Sequence, residues 1–226
     1  MHVRHRAGAA VSLTFDNLGE VTALQRGEWP AGEPLGRHWS VTRALPRILA
    51  ALAEAEVQAT FFVEGLNAEL YPDTLREIAA AGHEVGLHGW CHEPWSELEP
   101  REERALLVRG VDAFEALGLR PVRFRPPGGD LTAASLGLLR ELDFRFVSPE
   151  GETVAREGGV EVRPFRWELV DAWYYLPKFD GPDDPAALRA AIGEAVGAGG
   201  DVTLVFHPFL LDTDERFAVL LETLAR

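Results

Sequence analysis

The 226-residue sequence predicts an α/β fold on a parallel sheet, and three observations predict it. Strand-like and helix-like segments alternate to the carboxyl end, which demands crossover connections and hence parallel pairing, with helices outside an open sheet or a barrel. The strand-like segments are short and apolar, as buried strands are. Asp16, His88, Arg125 and His207 each fall just past the carboxyl end of such a segment, the edge where active sites of these folds are built.

Taken in order, Ala9 to Phe15 reads as a buried strand ending at Asp16-Asn17, followed by a Gly/Pro-punctuated loop from Gly19 to Arg37. Ser40 or Thr42 is expected to cap a helix to about Ala55, with Pro46 confined to its first turn. Gln58 to Val63 is a second strand, Pro72 opens a helix that stops before Gly82, and Glu84 to Leu87 is a third strand. Pro100 opens a longer helix, with Leu106, Leu107, Val111, Phe114 and Leu117 at helical spacing and Gly118 as its stop.

Val122 to Arg125 is extended and runs into Pro126-Pro127-Gly128-Gly129. Thr132 to Leu142 is helical, Phe144 to Ser148 and Val160 to Phe165 are strands, and the last of these leads to Trp167 and Asp171. Asp184-Pro185 supplies a cap and first residue for the next helix, Val202 to Phe206 is the last strand, and Glu215 to Ala225 closes the chain.

A chain of this length suits a single catalytic domain spanning 1–226. Its net charge of −14 makes nucleic acid and anionic membrane surfaces poor partners, and oligomeric state is left open. Cys91 is the only cysteine, so no internal disulfide forms. The basic start, Met1 to Gly8, has no apolar run of signal-peptide length behind it and no stretch approaches a membrane span, so a cytoplasmic location is expected.

The chemistry concentrates in His83-Glu84-Val85-Gly86-Leu87-His88-Gly89-Trp90-Cys91-His92. The strand delivers His88, and Gly89 lets the backbone turn so that His92 returns to the same point, where two imidazoles can share one cation. Amide hydrolysis needs an activated water, a stabilised oxyanion and a proton for the departing nitrogen. A bound Zn²⁺ lowers the pKa of water from about 15.7 to about 7, roughly 12 kcal/mol in the cost of hydroxide. A carboxylate base and an imidazole acid each add a factor of about 10² to 10⁴.

Five segments together resemble the polysaccharide deacetylase family, the carbohydrate esterases with the NodB homology domain. Thr14-Phe15-Asp16-Asn17 is similar to its first motif, His88 to His92 to the second, and Arg125-Pro126-Pro127-Gly128 to the third. Trp167 with Asp171 and Trp173 resembles the fourth, and Leu204-Val205-Phe206-His207 the fifth. The look is nearest to the branch with peptidoglycan-deacetylase-like and allantoinase-like proteins, and it implies a distorted (β/α) barrel of fewer than eight strands.

The resemblance further implies that Asp16 is the general base, Arg125 its partner, and His207, positioned by Asp171, the acid for the leaving amine. Asn17, His88 and His92 would be the ligands of Zn²⁺ or another divalent transition metal, and Pro127, Trp167 and Trp173 would meet a small-molecule or glycan substrate. Trp167 and Trp173 read equally as core residues or as walls for an acyl group.

The pattern departs from the family's usual one at Asn17, where an aspartate is common. An amide oxygen brings no charge, which should weaken metal binding while leaving the bound cation more acidifying. Glu20 is the nearest carboxylate on the following loop that could stand in, Cys91 is expected to face away from the imidazole pair, and His38 is expected to be a solvated loop histidine. The expected activity is removal of N-acetyl from an amino sugar, glycan or related small amide. Its rivals are a metal-poor hydrolase of cyclic amides or ureides and a degenerate barrel that binds a glycan without turnover.

Overall fold

The computed structural model describes residues 3–4, 9–180 and 183–225; of the basic start read above, only Val3 and Arg4 fall among them. Its centre is β2 (Ala9–Asp16), whose apolar side chains Val11, Leu13 and Phe15 are buried. The parallel strands β3 (Thr60–Val63), β4 (Glu84–Leu87), β5 (Arg123–Phe124), β6 (Phe146–Val147), β8 (Val160–Val162) and β9 (Gly200–Phe206) complete the parallel run. They lie in the order β9-β2-β3-β4-β5-β6-β8, seven strands in all. A parallel bridge from Val170 to Val205 brings the chain beyond β8 back toward β9 and curls the sheet into a distorted barrel.

Two antiparallel pairings depart from the alternation read in the sequence. β1 (Val3–Arg4) pairs with β2, and β7 (Ala155–Glu157) forms a hairpin with β8. That hairpin turns on Gly158 and Gly159 at φ 56° and 93°, a left-handed pair that glycine adopts without a Cβ penalty.

Helices cover the outside. α2 (Leu45–Glu54) buries Leu45, Ile48 and Leu52, with Pro46 in its first turn. Neither Ser40 nor Thr42 caps it: a π-helical turn over Ser40–Ala44 precedes it, and the Ser40 hydroxyl is engaged by His38 Nδ1 (2.7 Å) and the Gly19 N–H. α1 (Val21–Gln25) forms inside the segment read as loop and buries Val21.

Pro72–Ala80 (α4) matches its expectation, and α5 (Pro100–Glu115) starts with the Glu99 N–H donating to Glu102 Oε2 at 3.1 Å. α6 (Ser135–Glu141) is shorter than read, while α7 (Asp171–Tyr175) opens after the Val170 bridge. Asp184 caps α8 (Pro185–Ala198) by accepting from the Ala186 and Ala187 N–H groups, and Thr213 caps α9 (Asp214–Leu224). Inside, Phe15 stacks on Phe61 at 4.8 Å, and Trp95 packs on Phe124 at 4.8 Å. Among the described residues no helix is long and apolar enough to cross a membrane.

Candidate active site

Parallel strands end on one edge, so the residues that follow them meet. Asp16 ends β2, His88 follows β4, Arg125 follows β5 and His207 follows β9. The strand register places Asp16 against Phe62, Leu87 against Phe124, and Phe15 against Phe206. Asp16, Asn17, His88, His92, Arg125 and His207 line one cavity of about 140 Å³. Small-molecule pockets commonly run to about 300–1,000 Å³; this one is smaller.

Arg125 is 1% exposed and its Nη1 donates to Asp16 Oδ1 at 2.7 Å and to Thr14 Oγ1 at 2.8 Å. Nη2 donates to Ser148 Oγ at 2.9 Å, and the guanidinium lies over the rings of Phe62 and Phe165. The pairing with Arg125 fixes the position of the Asp16 carboxyl at the cavity wall.

Gly89 makes the turn between the two imidazoles. At φ 71°, a Cβ there would meet Glu93 Oε2 at 2.8 Å and Pro127 Cγ at 2.9 Å. The turn is held by Glu93, whose carboxylate accepts from the Trp90 and Cys91 N–H groups, and His92 sits in the left-handed region at φ 63°. The His88 and His92 rings lie 5.1 Å apart, edge to face. Two imidazoles on one tetrahedral cation at about 2.1 Å per nitrogen need ring centroids roughly 5 Å apart.

His88 Nδ1 lies 2.9 Å from the Arg125 carbonyl oxygen, so that nitrogen carries the proton and Nε2 keeps its lone pair. Burial pushes both imidazoles down to about 3, so both are neutral at ordinary pH, as ligands must be. Asn17, on the wall of the same cavity, has a buried Oδ1 without a hydrogen-bond partner. An orphaned acceptor beside two neutral imidazoles fits a divalent cation. No group of three or more His, Cys, Asp or Glu among the described residues could hold one, so the fit depends on the amide.

His207 Nδ1 is 2.5 Å from Asp171 Oδ1, and its backbone N–H donates to Asp171 Oδ2 at 2.7 Å. One fully buried carboxylate thus grips ring and backbone of the same residue, leaving Nε2 as the free nitrogen. Trp167 lines the cavity, but Trp173 and Pro127 do not. Trp173 is 40% exposed and stacks behind Trp167 at 6.3 Å, and Pro127 packs back against Gly89.

Glu20 cannot replace the missing charge: Oε2 accepts from the Tyr71 hydroxyl at 2.5 Å and Oε1 from the Gly36 N–H at 2.6 Å, which ties down the loop. Cys91 Sγ contacts the Val21 carbonyl, and burial raises its thiol to about 11. The expected solvated His38 is half-buried on Ser40. Sequence reasoning missed Thr14 and Ser148 as supports of Arg125, and Arg26, Phe165, Lys178, Phe179 and Phe209 as cavity walls.

It also missed Glu64, a fully buried carboxyl just past β3 that accepts from the Leu18 N–H, Asn67 Nδ2 and, more weakly, the Thr22 hydroxyl. Burial, assisted by the nearby Asp16, raises it to about 8. A carboxyl raised on folding binds its proton more tightly in the native state, so its stabilisation is complete below the unfolded value and lost as pH rises toward 8. Glu64→Gln can keep the two acceptor contacts and donate to Thr22. Urea titrations should therefore show the stability of the wild type relative to the variant falling by a few kcal/mol between about pH 4.5 and 8, on top of the rise both proteins share as His88 and His92 lose their protons in the unfolded chain. Parallel curves for the two proteins would mean Glu64 is ionised when folded.

A family model described as polysaccharide deacetylase matches residues 4–147. A peptidoglycan-N-acetylglucosamine deacetylase of Bacillus cereus is 32% identical over 114 residues, 50% of this chain and 42% of that protein, so the chain spans less than half the relative's length. The crystal structure of a candidate polysaccharide deacetylase from Mycobacterium smegmatis superposes with a TM-score of 0.81 at 30% identity, covering 99% of this chain and 86% of that one. An allantoinase structure shares the fold with a TM-score of 0.79 at 18% identity, over 100% of this chain and 86% of the other.

Proposed function

Because the chain belongs to the polysaccharide deacetylase family, we propose that it is a metal-dependent hydrolase that removes N-acetyl from an amino sugar, a glycan end or a related small amide. The observation that supports this most is the pairing of Asp16, locked by Arg125, with His207, locked by Asp171, on one small cavity beside two neutral imidazoles. A base and an acid held by separate buried partners are what hydrolysis of an amide requires.

Asn17, His88 and His92 would hold the cation, and Zn²⁺ or a similar ion would supply Lewis-acid polarisation of water and carbonyl when bound. Asp16 accepts the proton of the attacking water as the new C–O bond forms. Arg125, fixed by Thr14 and Ser148, keeps that carboxylate aimed between attacks. His207 gives its Nε2 proton to the amide nitrogen as the C–N bond breaks, so acetate and a free amine leave. Trp167 and Phe165, packed edge to face at 5.3 Å, exclude water from the apolar side of the cavity.

Acetate release from N-acetylglucosamine oligomers, abolished by a chelator and restored by Zn²⁺, is the expected result. Release that survives chelation would favour the second reading, a metal-poor hydrolase of cyclic amides; among the described residues no third His, Cys, Asp or Glu groups with the imidazoles as a metal site, which is in keeping with it. The amide ligand carries its own prediction. Asn17→Asp, tolerable at φ 60° because Asp and Asn share that region, should bind zinc at least about tenfold tighter. Metal analysis after dialysis against graded chelator reads this out; equal retention by both proteins would refute the charge argument.

A further inference from the structure

We propose that the substrate carries an anionic group, a phosphate or carboxylate, which Arg26 and Lys178 hold at the mouth of the cavity while the N-acetyl end sits at Asp16 and His207. The inference deepens the deacetylase reading and rests on it. Its ground is the charge of the walls: they hold three cations, Arg26, Arg125 and Lys178, against one carboxylate, Asp16. Arg125 is used up by Asp16, so two positive charges remain in a chain whose net charge is −14.

Arg26 and Lys178 form no ion pair among the described residues, and both stand on the wall of the same cavity. Two cations left unneutralised on the wall of one cavity favour an anion there. Lys178, the sole lysine, is set by its neighbour: Nζ stands 4.6 Å over the Phe179 ring, and Phe179 packs on Trp167 at 5.0 Å. The cationic spot is thus fixed to the aromatic wall of the acyl site. A cavity of about 140 Å³ takes the acetamido end alone, which leaves the charged end of an amino-sugar-sized molecule outside, beside Arg26 and Lys178.

The test compares N-acetylglucosamine with N-acetylglucosamine 6-phosphate and N-acetylmuramate, by kcat/KM for acetate release from the zinc-loaded enzyme and, independently of turnover, by ligand-induced shift in Tm. A preference for one of the charged sugars of at least about tenfold is expected, and the larger of the two names the anion. In Arg26→Gln/Lys178→Gln the preference should collapse toward one. Arg145→Gln, which removes a positive charge at the opposite end of the sheet where β6 begins, should keep it. No preference, or a double variant weakened equally on charged and neutral sugars, overturns the proposal. If no sugar releases acetate, the deacetylase reading fails by itself, and the Tm shifts still decide whether the mouth binds an anion.

Discussion

Asp16→Ala is expected to lower acetate release by about 10² to 10⁴ and to destabilise the fold by about 3–5 kcal/mol. The first effect follows from losing the proton acceptor. The second follows from what is left behind: Arg125, 1% exposed, would keep its charge with only the Thr14 and Ser148 hydroxyls and two aromatic faces around it. Its Nε already lacks a hydrogen-bond partner, so no spare acceptor stands ready. Against total stabilities of about 5–15 kcal/mol this is a large share.

The two effects separate in the double variant Asp16→Ala/Arg125→Met. An uncharged side chain of similar length removes the stranded cation, so most of the stability should return while activity stays lost. Urea unfolding monitored by Trp fluorescence, beside the acetate assay, gives both readings. If Asp16→Ala unfolded at the wild-type midpoint, the ion pair would not contribute as argued, and Asp16 would be held by something other than Arg125.

How much of this could be seen beforehand depended on the range of the interaction. Local signals sufficed for β4, matched at both ends, for the Asp184 cap on α8, and for the strand-end positions of Asp16, His88, Arg125 and His207. The β7–β8 hairpin was also legible, because Glu157-Gly158-Gly159-Val160 carries a two-glycine turn between extended segments; it was passed over in favour of uniform alternation.

The remainder was set at long range. Ser40 reads as a helix cap by type, but the tertiary contacts with His38 and Gly19 take its hydroxyl instead. Glu20 is near Asn17 in sequence, yet Tyr71, fifty-one residues on, claims its carboxylate. Pro127 and Trp173 belong to the right motifs, and packing turns one toward Gly89 and the other behind Trp167. Arg26 and Lys178, far apart in the chain, reach the wall of one cavity only once the barrel closes. A motif names the edge of the sheet on which a residue sits; which neighbour its side chain meets is decided by the packing.

The acid side of the site gives the second large effect. His207→Ala should lower kcat on an acetamide by about 10² to 10⁴, with KM changed only a few-fold. Asp171→Asn should cost nearly as much, for a geometric reason. Asp171 accepts from two donors of one residue, the His207 ring at 2.5 Å and its backbone N–H at 2.7 Å. Asparagine has a single acceptor, and the backbone N–H cannot turn away from it. The amide NH₂ then faces Nδ1 and forces the proton onto Nε2 of a neutral ring, with no carboxylate to stabilise the imidazolium that must give it up. Because ring and carboxylate act as a unit, the double variant should be little worse than either single one.

Leaving-group dependence separates this role from a structural one. An acetamide must have its nitrogen protonated to leave, whereas 4-nitrophenyl acetate expels a stable phenolate without help. The His207 and Asp171 variants should therefore lose most of their rate on the amide and little on the ester, while Asp16→Ala, which removes activation of the attacking water, should lose on both. Equal losses on the two substrates for His207→Ala would assign His207 to shaping the cavity and leave the departing nitrogen to another proton donor.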